Sequence, residues 1–148
     1  MLHEVLKDRH ILLQQTSKDW ETCIKDAAQP LLNDHYINEN YIEAMIAAVN
    51  KYGPYIVVGE GVALAHARPE DGVLKLGLSV MTLKEPISFG HETNDPVKLV
   101  FCLAATDNFS HLEVMKSIVN IISEQWKIDK ISSQYTVDDF KQVLDEFE

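Results

Sequence analysis

Cysteine is scarce in this chain: only Cys23 and Cys102 occur among 148 residues. They form no CxxC unit and no zinc-like spacing, which argues against a disulfide scaffold and a thiolate metal site. Both sit among apolar neighbours and read as small core residues of a reducing compartment. Long apolar runs are also missing; none approaches the roughly 18 residues needed to cross a bilayer. The stretch from Met1 to Asp8 mixes acids, bases and apolar residues. It has no basic start and no apolar h-region, so no signal peptide is expected and the cytoplasm is the default location. Positive charge is in deficit, with 13 Lys and Arg against 23 Asp and Glu and a formal net charge of −10. Phosphate repels such a chain, which argues against nucleic acid as a partner. A basic protein partner fits better, although solubility alone would also explain the charge.

Neither a Walker phosphate loop nor a dinucleotide fingerprint is present, so no bound nucleotide is expected. His3, His10, His35 and His91 lack a ligand spacing such as HxxxH. No cluster of His, Cys and acid suggests a metal, and no cofactor is implied.

What is present suits one domain spanning residues 1–148. The apolar share is 46% and the charged share 24%, ordinary for a globular protein of this length. Helical and strand patterns interleave, which predicts an α/β layered fold. Leu2–Asp8 reads as a short helix and Ile11–Gln15 as a short strand. Thr16 or Ser17 is expected to cap a helix to about Asn33, with Pro30 kinking or breaking it. A second helix runs from about Asn40 to Lys51 and is stopped by Gly53-Pro54. Tyr55–Val58 is β-branched and predicts a buried strand. The small residues from Gly59 to Ala65 predict a tight turn into a short strand. Leu74–Leu83 predicts a long strand, Lys84-Glu85-Pro86 a turn, and Ile87–Phe89 a short edge strand. Val97–Ala104 is almost wholly apolar and predicts a central strand covered on both faces. Ser110 to Glu113 has the pattern of a capping box. The helix behind it would bury Leu112, Met115, Val119 and Ile122. Thr136 opens the last helix, to about Phe147.

The most informative stretch is Gly61-Val62-Ala63-Leu64-Ala65-His66-Ala67-Arg68-Pro69-Glu70-Asp71-Gly72-Val73. Small residues around His66 leave room for a partner to approach, and an imidazole can act as a covalent nucleophile. For that role one ring nitrogen must be exposed and neutral. The other must be pinned as a donor, and a backbone carbonyl at the end of a short strand can do this. Arg68, two residues on, offers a planar fork of donors to phosphate or to a partner's carboxylates; it could equally pair with Glu70 or Asp71. His111, if the capping box holds, lies in the first turn of a helix, where unpaired N–H groups and the helix dipole favour anions. The dipole would disfavour its protonation and make it a neutral donor. Asn94-Asp95 is expected to form a turn leading into the central strand.

Four segments together resemble a known family: Gly53-Pro54-Tyr55, the His66 stretch, Asn94-Asp95-Pro96-Val97 and the surroundings of His111. They are similar to the mannitol/fructose-type (type 2) enzyme IIA domains of the bacterial phosphoenolpyruvate-dependent sugar phosphotransferase system, and most of all to the ascorbate-type members. The resemblance runs from about Leu12 to about Phe147. It implies a mixed β-sheet with helices on both faces. It also implies that His66 accepts a phosphoryl group on Nε2 from the carrier protein HPr and hands it to a cysteine of enzyme IIB. Membrane enzyme IIC then meets the sugar, ascorbate or a relative. The resemblance makes His111 the second active-site histidine. Two positions depart from the family pattern. Ala65 stands where many members have proline, and at about Ala48 many relatives outside the ascorbate-like branch carry an active-site arginine, for which Arg68 would compensate. An apolar ring around His66, Leu64 included, would form the docking surface. Two other readings use the same residues: a phosphorylation-dependent regulatory module of the same fold, and a plain α/β binding protein without phosphotransfer.

Overall fold

The computed structural model describes residues 2–148. In chain order the elements are α1 (Leu2–Val5), β1 (Leu6–Gln15), α2 (Trp20–Asn33), α3 (Glu39–Tyr52), β2 (Val57–Gly59) and β3 (Val62–Ala65). A single 3-10 turn at Pro69–Asp71 precedes β4 (Gly77–Ile87) and β5 (Val97–Ala104). The chain closes with α4 (Asn108–Ile122), α5 (Gln125–Ser132) and α6 (Val137–Phe147). One five-stranded mixed sheet has the order β1-β4-β5-β3-β2, with β5 at its centre as its sequence predicts. It runs antiparallel to β4 and parallel to β3.

Successive side chains of a strand point to opposite faces, so a central strand feeds two cores. Val100, Cys102 and Ala104 of β5 join Ile24, Leu31, Tyr41 and Met45 from α2 and α3. Leu99, Phe101 and Leu103 join Val114, Ile118, Ile128 and Phe140 from α4, α5 and α6. The expected layering, a mixed sheet with helices on both faces, is what forms. Both cysteines are free and fully buried, and burial pushes each thiol up to about 12. They are core residues, as expected. No helix of the described residues is long and apolar enough to cross a membrane.

Several local expectations are corrected. The first strand begins at Leu6, because it pairs with β4 from Leu6↔Leu78 onward and the pairing outweighs helix propensity. Asp19, not Thr16 or Ser17, caps α2 by accepting the Thr22 N–H at 2.8 Å. Pro30 does not break that helix. It lies in the last turn, and its own carbonyl still accepts the Asp34 N–H. Residues 55–58 are not a buried strand: β2 is a three-residue edge strand, antiparallel to β3, and Val58 is exposed. β4 runs through the expected turn at residues 84–86 to Ile87. Its pairing with β1 ends at Gln15↔Leu83, so Pro86 lies where no neighbour on that side needs its missing N–H. The helix α5 had no predicted counterpart.

Candidate functional site

His66 comes directly after β3, whose four residues are all buried. Its Nδ1 lies 2.8 Å from the Leu64 carbonyl. A carbonyl only accepts, so Nδ1 carries the proton and Nε2 keeps its lone pair. Leu64 itself is wholly buried and cannot be part of a docking surface; its backbone sets the tautomer instead. The half-buried His66 ring opens into a cleft of about 730 Å³ that also holds Tyr55, Arg68, Ala105, Asp107 and His111. The ring of Tyr55 meets it edge-on, with centroids 5.7 Å apart.

The structure brings His111 to the same place, its ring centroid 5.5 Å from that of His66. The capping is not the one expected. Asp107, rather than Ser110, is the N-cap of α4, and its carboxylate accepts the Ser110 N–H at 2.7 Å. That bond holds the Asp107 carboxyl below the usual carboxylate range. His111 therefore sits one turn into the helix, where its own N–H already bonds to the Asp107 carbonyl. Its imidazole is held below the ordinary histidine value by partial burial and, after that, by the charge of His66. Burial, rather than the helix dipole expected from the sequence, is the leading cause of that shift.

Arg68 borders the cleft but its side chain is 76% exposed and lies 3.5 Å from both Glu70 and Asp71. Its backbone N–H donates to the Asp71 carboxylate. Lys51, on the last turn of α3, is the other cation lining the cleft. It lies 5.1 Å over the Tyr52 ring, with no carboxylate partner among the described residues. Ala44, Ala47 and Ala48 make the adjoining wall of α3 low, so the cleft stays open on that side.

The turn after His66 is anchored to the start of α3. Asn38 caps that helix and donates its N–H to the Gly72 carbonyl at 3.0 Å. Gly72 has φ +136°, and a Cβ there would fall 2.1 Å from Asn38 Oδ1. Gly72→Ala is expected to cost roughly 1–3 kcal/mol of stability through strain and overlap, read from a urea melt. A loss below about 0.5 kcal/mol would show that the turn adapts freely.

Sequence reasoning did not single out Tyr41, whose hydroxyl bonds the backbone beside His66, or Lys51, and it quoted Tyr55 only within the Gly53-Pro54-Tyr55 segment, without a place at the site. Helical spacing marks Tyr41 as a core position, which it is, but carries no hint of where its hydroxyl ends. Asp95 does form the expected turn. Its carboxylate accepts the N–H groups of Phe89, Gly90 and His91 at 2.8–3.0 Å. Elsewhere His10 is fully buried with Nε2 2.5 Å from Asp34, remote from the cleft in the lining of which it takes no part.

A family model described as "Phosphoenolpyruvate-dependent sugar phosphotransferase system, EIIA 2" matches residues 4–147. An ascorbate-specific PTS system EIIA component of Shigella flexneri is 34% identical, over 97% of this chain and 95% of that protein. The fold is similar to that of the mannitol-specific cryptic phosphotransferase enzyme IIA CmtB of Escherichia coli. There the TM-score is 0.85 at 28% identity, over 98% of each chain. It is also similar to the mannitol IIA chain solved in complex with phosphorylated enzyme IIB from Escherichia coli. That match has a TM-score of 0.83 at 27% identity, over 96% of this chain and 99% of the other.

Proposed function

The chain belongs to the phosphoenolpyruvate-dependent sugar phosphotransferase system EIIA 2 family, and on that premise we propose that it is a cytoplasmic phosphocarrier working through His66. The Nε2 lone pair attacks the phosphorus of phospho-HPr. The donor's N–P bond breaks and its electron pair returns to the donor imidazole. In the second step a cysteine thiolate of enzyme IIB attacks the same phosphorus, and the Nε2–P pair returns to His66. Membrane enzyme IIC handles the sugar. The Shigella flexneri relative supports ascorbate or a related sugar as the transported substrate.

The observation that carries this reading is the Nδ1–Leu64 contact at 2.8 Å, which leaves Nε2 as the basic nitrogen beside an open cleft. In this reading His111, 5.5 Å away between ring centroids and biased by burial towards its neutral form, donates an N–H to a phosphoryl oxygen. Positioning and charge stabilisation of this kind are most of what phosphoryl transfer requires. The test is incubation with phosphoenolpyruvate, enzyme I and HPr. An acid-labile phosphate on the protein is expected. No phosphate, with HPr shown to be charged, overturns the carrier reading and leaves a binding module.

Arg68 supports the arriving charge in this scheme. Exposed ion pairs hold with only about 0–1 kcal/mol, so Arg68 can turn from Glu70 and Asp71 to a phosphoryl group or a partner carboxylate. Arg68→Ala is expected to slow phosphate acceptance by about fivefold. An unchanged rate and unchanged affinity for HPr would remove Arg68 from the site.

A further inference from the structure

We propose that Tyr41 is a positioning residue whose hydroxyl sets the spacing between His66 and His111, a role that builds on the phosphocarrier reading. The two histidines leave the ends of adjacent parallel strands. β3 and β5 stay in register to Ala65↔Cys102, and His66 follows at once. β5 continues to Ala104, and α4, which bears His111, starts at Asn108. Immediately past the last paired residues the Tyr41 hydroxyl stands between the two chains. It accepts the Ala67 N–H at 3.0 Å and donates to the Leu103 carbonyl at 2.6 Å. The Ala67 carbonyl is also near, at 3.3 Å, but a hydroxyl has one proton and the shorter contact takes it.

Three features make this bridge stiff. Tyr41 is 1% exposed and its bond to the Leu103 carbonyl is fully buried, so water does not compete for that bond. Burial raises the phenol above its ordinary value, so the hydroxyl keeps its proton at any working pH. The residue lies in the first turn of α3, the turn that Asn38 caps and against which Gly72 packs. One oxygen atom thus joins the residue after His66 to the strand end that leads into the His111 helix. Without it, the buried Leu103 carbonyl loses a donor and the half-buried Ala67 N–H loses its acceptor, and the hydroxyl no longer fixes the distance between the two strand ends.

The experiment is single-turnover phosphate acceptance from phospho-HPr by wild type, Tyr41→Phe, His111→Ala and the double variant. Circular dichroism first establishes that Tyr41→Phe, which loses one oxygen and keeps its ring, retains the fold. Tyr41→Phe is expected to lower the transfer rate roughly tenfold to a hundredfold with KM for phospho-HPr unchanged, as for other small misplacements of reacting groups. In the His111→Ala background the same substitution is expected to add little. The His111 titration, followed by NMR, is expected to move towards its ordinary value in Tyr41→Phe. An unchanged rate, or an equal loss with and without His111, overturns the proposal. So does fast exchange of the Ala67 amide in the wild type, a reading that needs no variant. If the wild type takes no phosphate, the carrier reading fails by itself, and amide exchange and the His111 titration still decide the role of Tyr41.

Discussion

His66→Ala is expected to take no phosphate from phospho-HPr under conditions in which the wild type is fully labelled. The loss should be complete rather than partial, because alanine has no nucleophile to replace the imidazole. The second histidine of the cleft does not substitute for it. Among the described residues nothing holds one nitrogen of His111 to a backbone carbonyl as Leu64 holds His66 Nδ1. The substitution should leave the fold intact, since His66 is only half-buried and follows the strand rather than forming part of it. Acid-labile phosphate and a thermal melt, measured on the same preparation, separate loss of chemistry from loss of structure. Labelled His66→Ala protein would place the acceptor elsewhere and sink the assignment.

His111→Ala is expected to be labelled, but roughly a hundredfold to a thousandfold more slowly, the range for removing one preorganised donor to a developing charge. Binding of HPr should change less than the rate, because the donor acts on the phosphoryl group rather than on the partner. The variant should therefore show most of its defect in single-turnover transfer. A rate within about twofold of wild type would reduce His111 to a bystander. The same residue predicts a pH effect. Burial and the His66 charge lower its midpoint in the folded state from the ordinary 6.5. As pH falls from that unfolded value through the folded one, the unfolded chain binds this proton more readily. The stability contribution of His111 is therefore present above pH 6.5 and is lost across that window. An NMR titration of the wild type should show a midpoint below 6.5. A midpoint at or above that value would contradict both the burial and the coupling to His66.

Legibility varied by element, and the reasons are physical. The central strand Val97–Ala104 and the stop of α3 were readable because each is encoded locally. A strand covered on both faces must be apolar at every position, and Gly53 with φ +86° ends a helix as glycine does. The buried face of α4 was misread in part: of the four expected positions, Met115 and Ile122 pack half-buried against the core. Leu112 and Val119 are exposed, while Val114, Ile118 and Ile121 face the core. The helix is apolar on two neighbouring stripes, so its periodicity fits either, and only the sheet beneath chooses between them. The unchosen stripe is left exposed beside His111, at Phe109 and Leu112, while Tyr52 and Tyr55 are exposed among the cleft residues near His66. That exposed apolar rim is where the structure departs from the expected ring containing Leu64.

Sequence by itself determined the chemical parts. A lone histidine among small residues, an arginine two places on, a second histidine at the start of a helix and an acidic surface all follow from residue type and short-range spacing. Tertiary structure decided their relation. His66 and His111 meet because β3 and β5 lie side by side in parallel register, and strand order depends on packing between remote segments that no local pattern records. The same holds for Tyr41: its place in the core is written in helical spacing, but the two backbone groups its hydroxyl joins, at Ala67 and Leu103, are neighbours only once the sheet has closed.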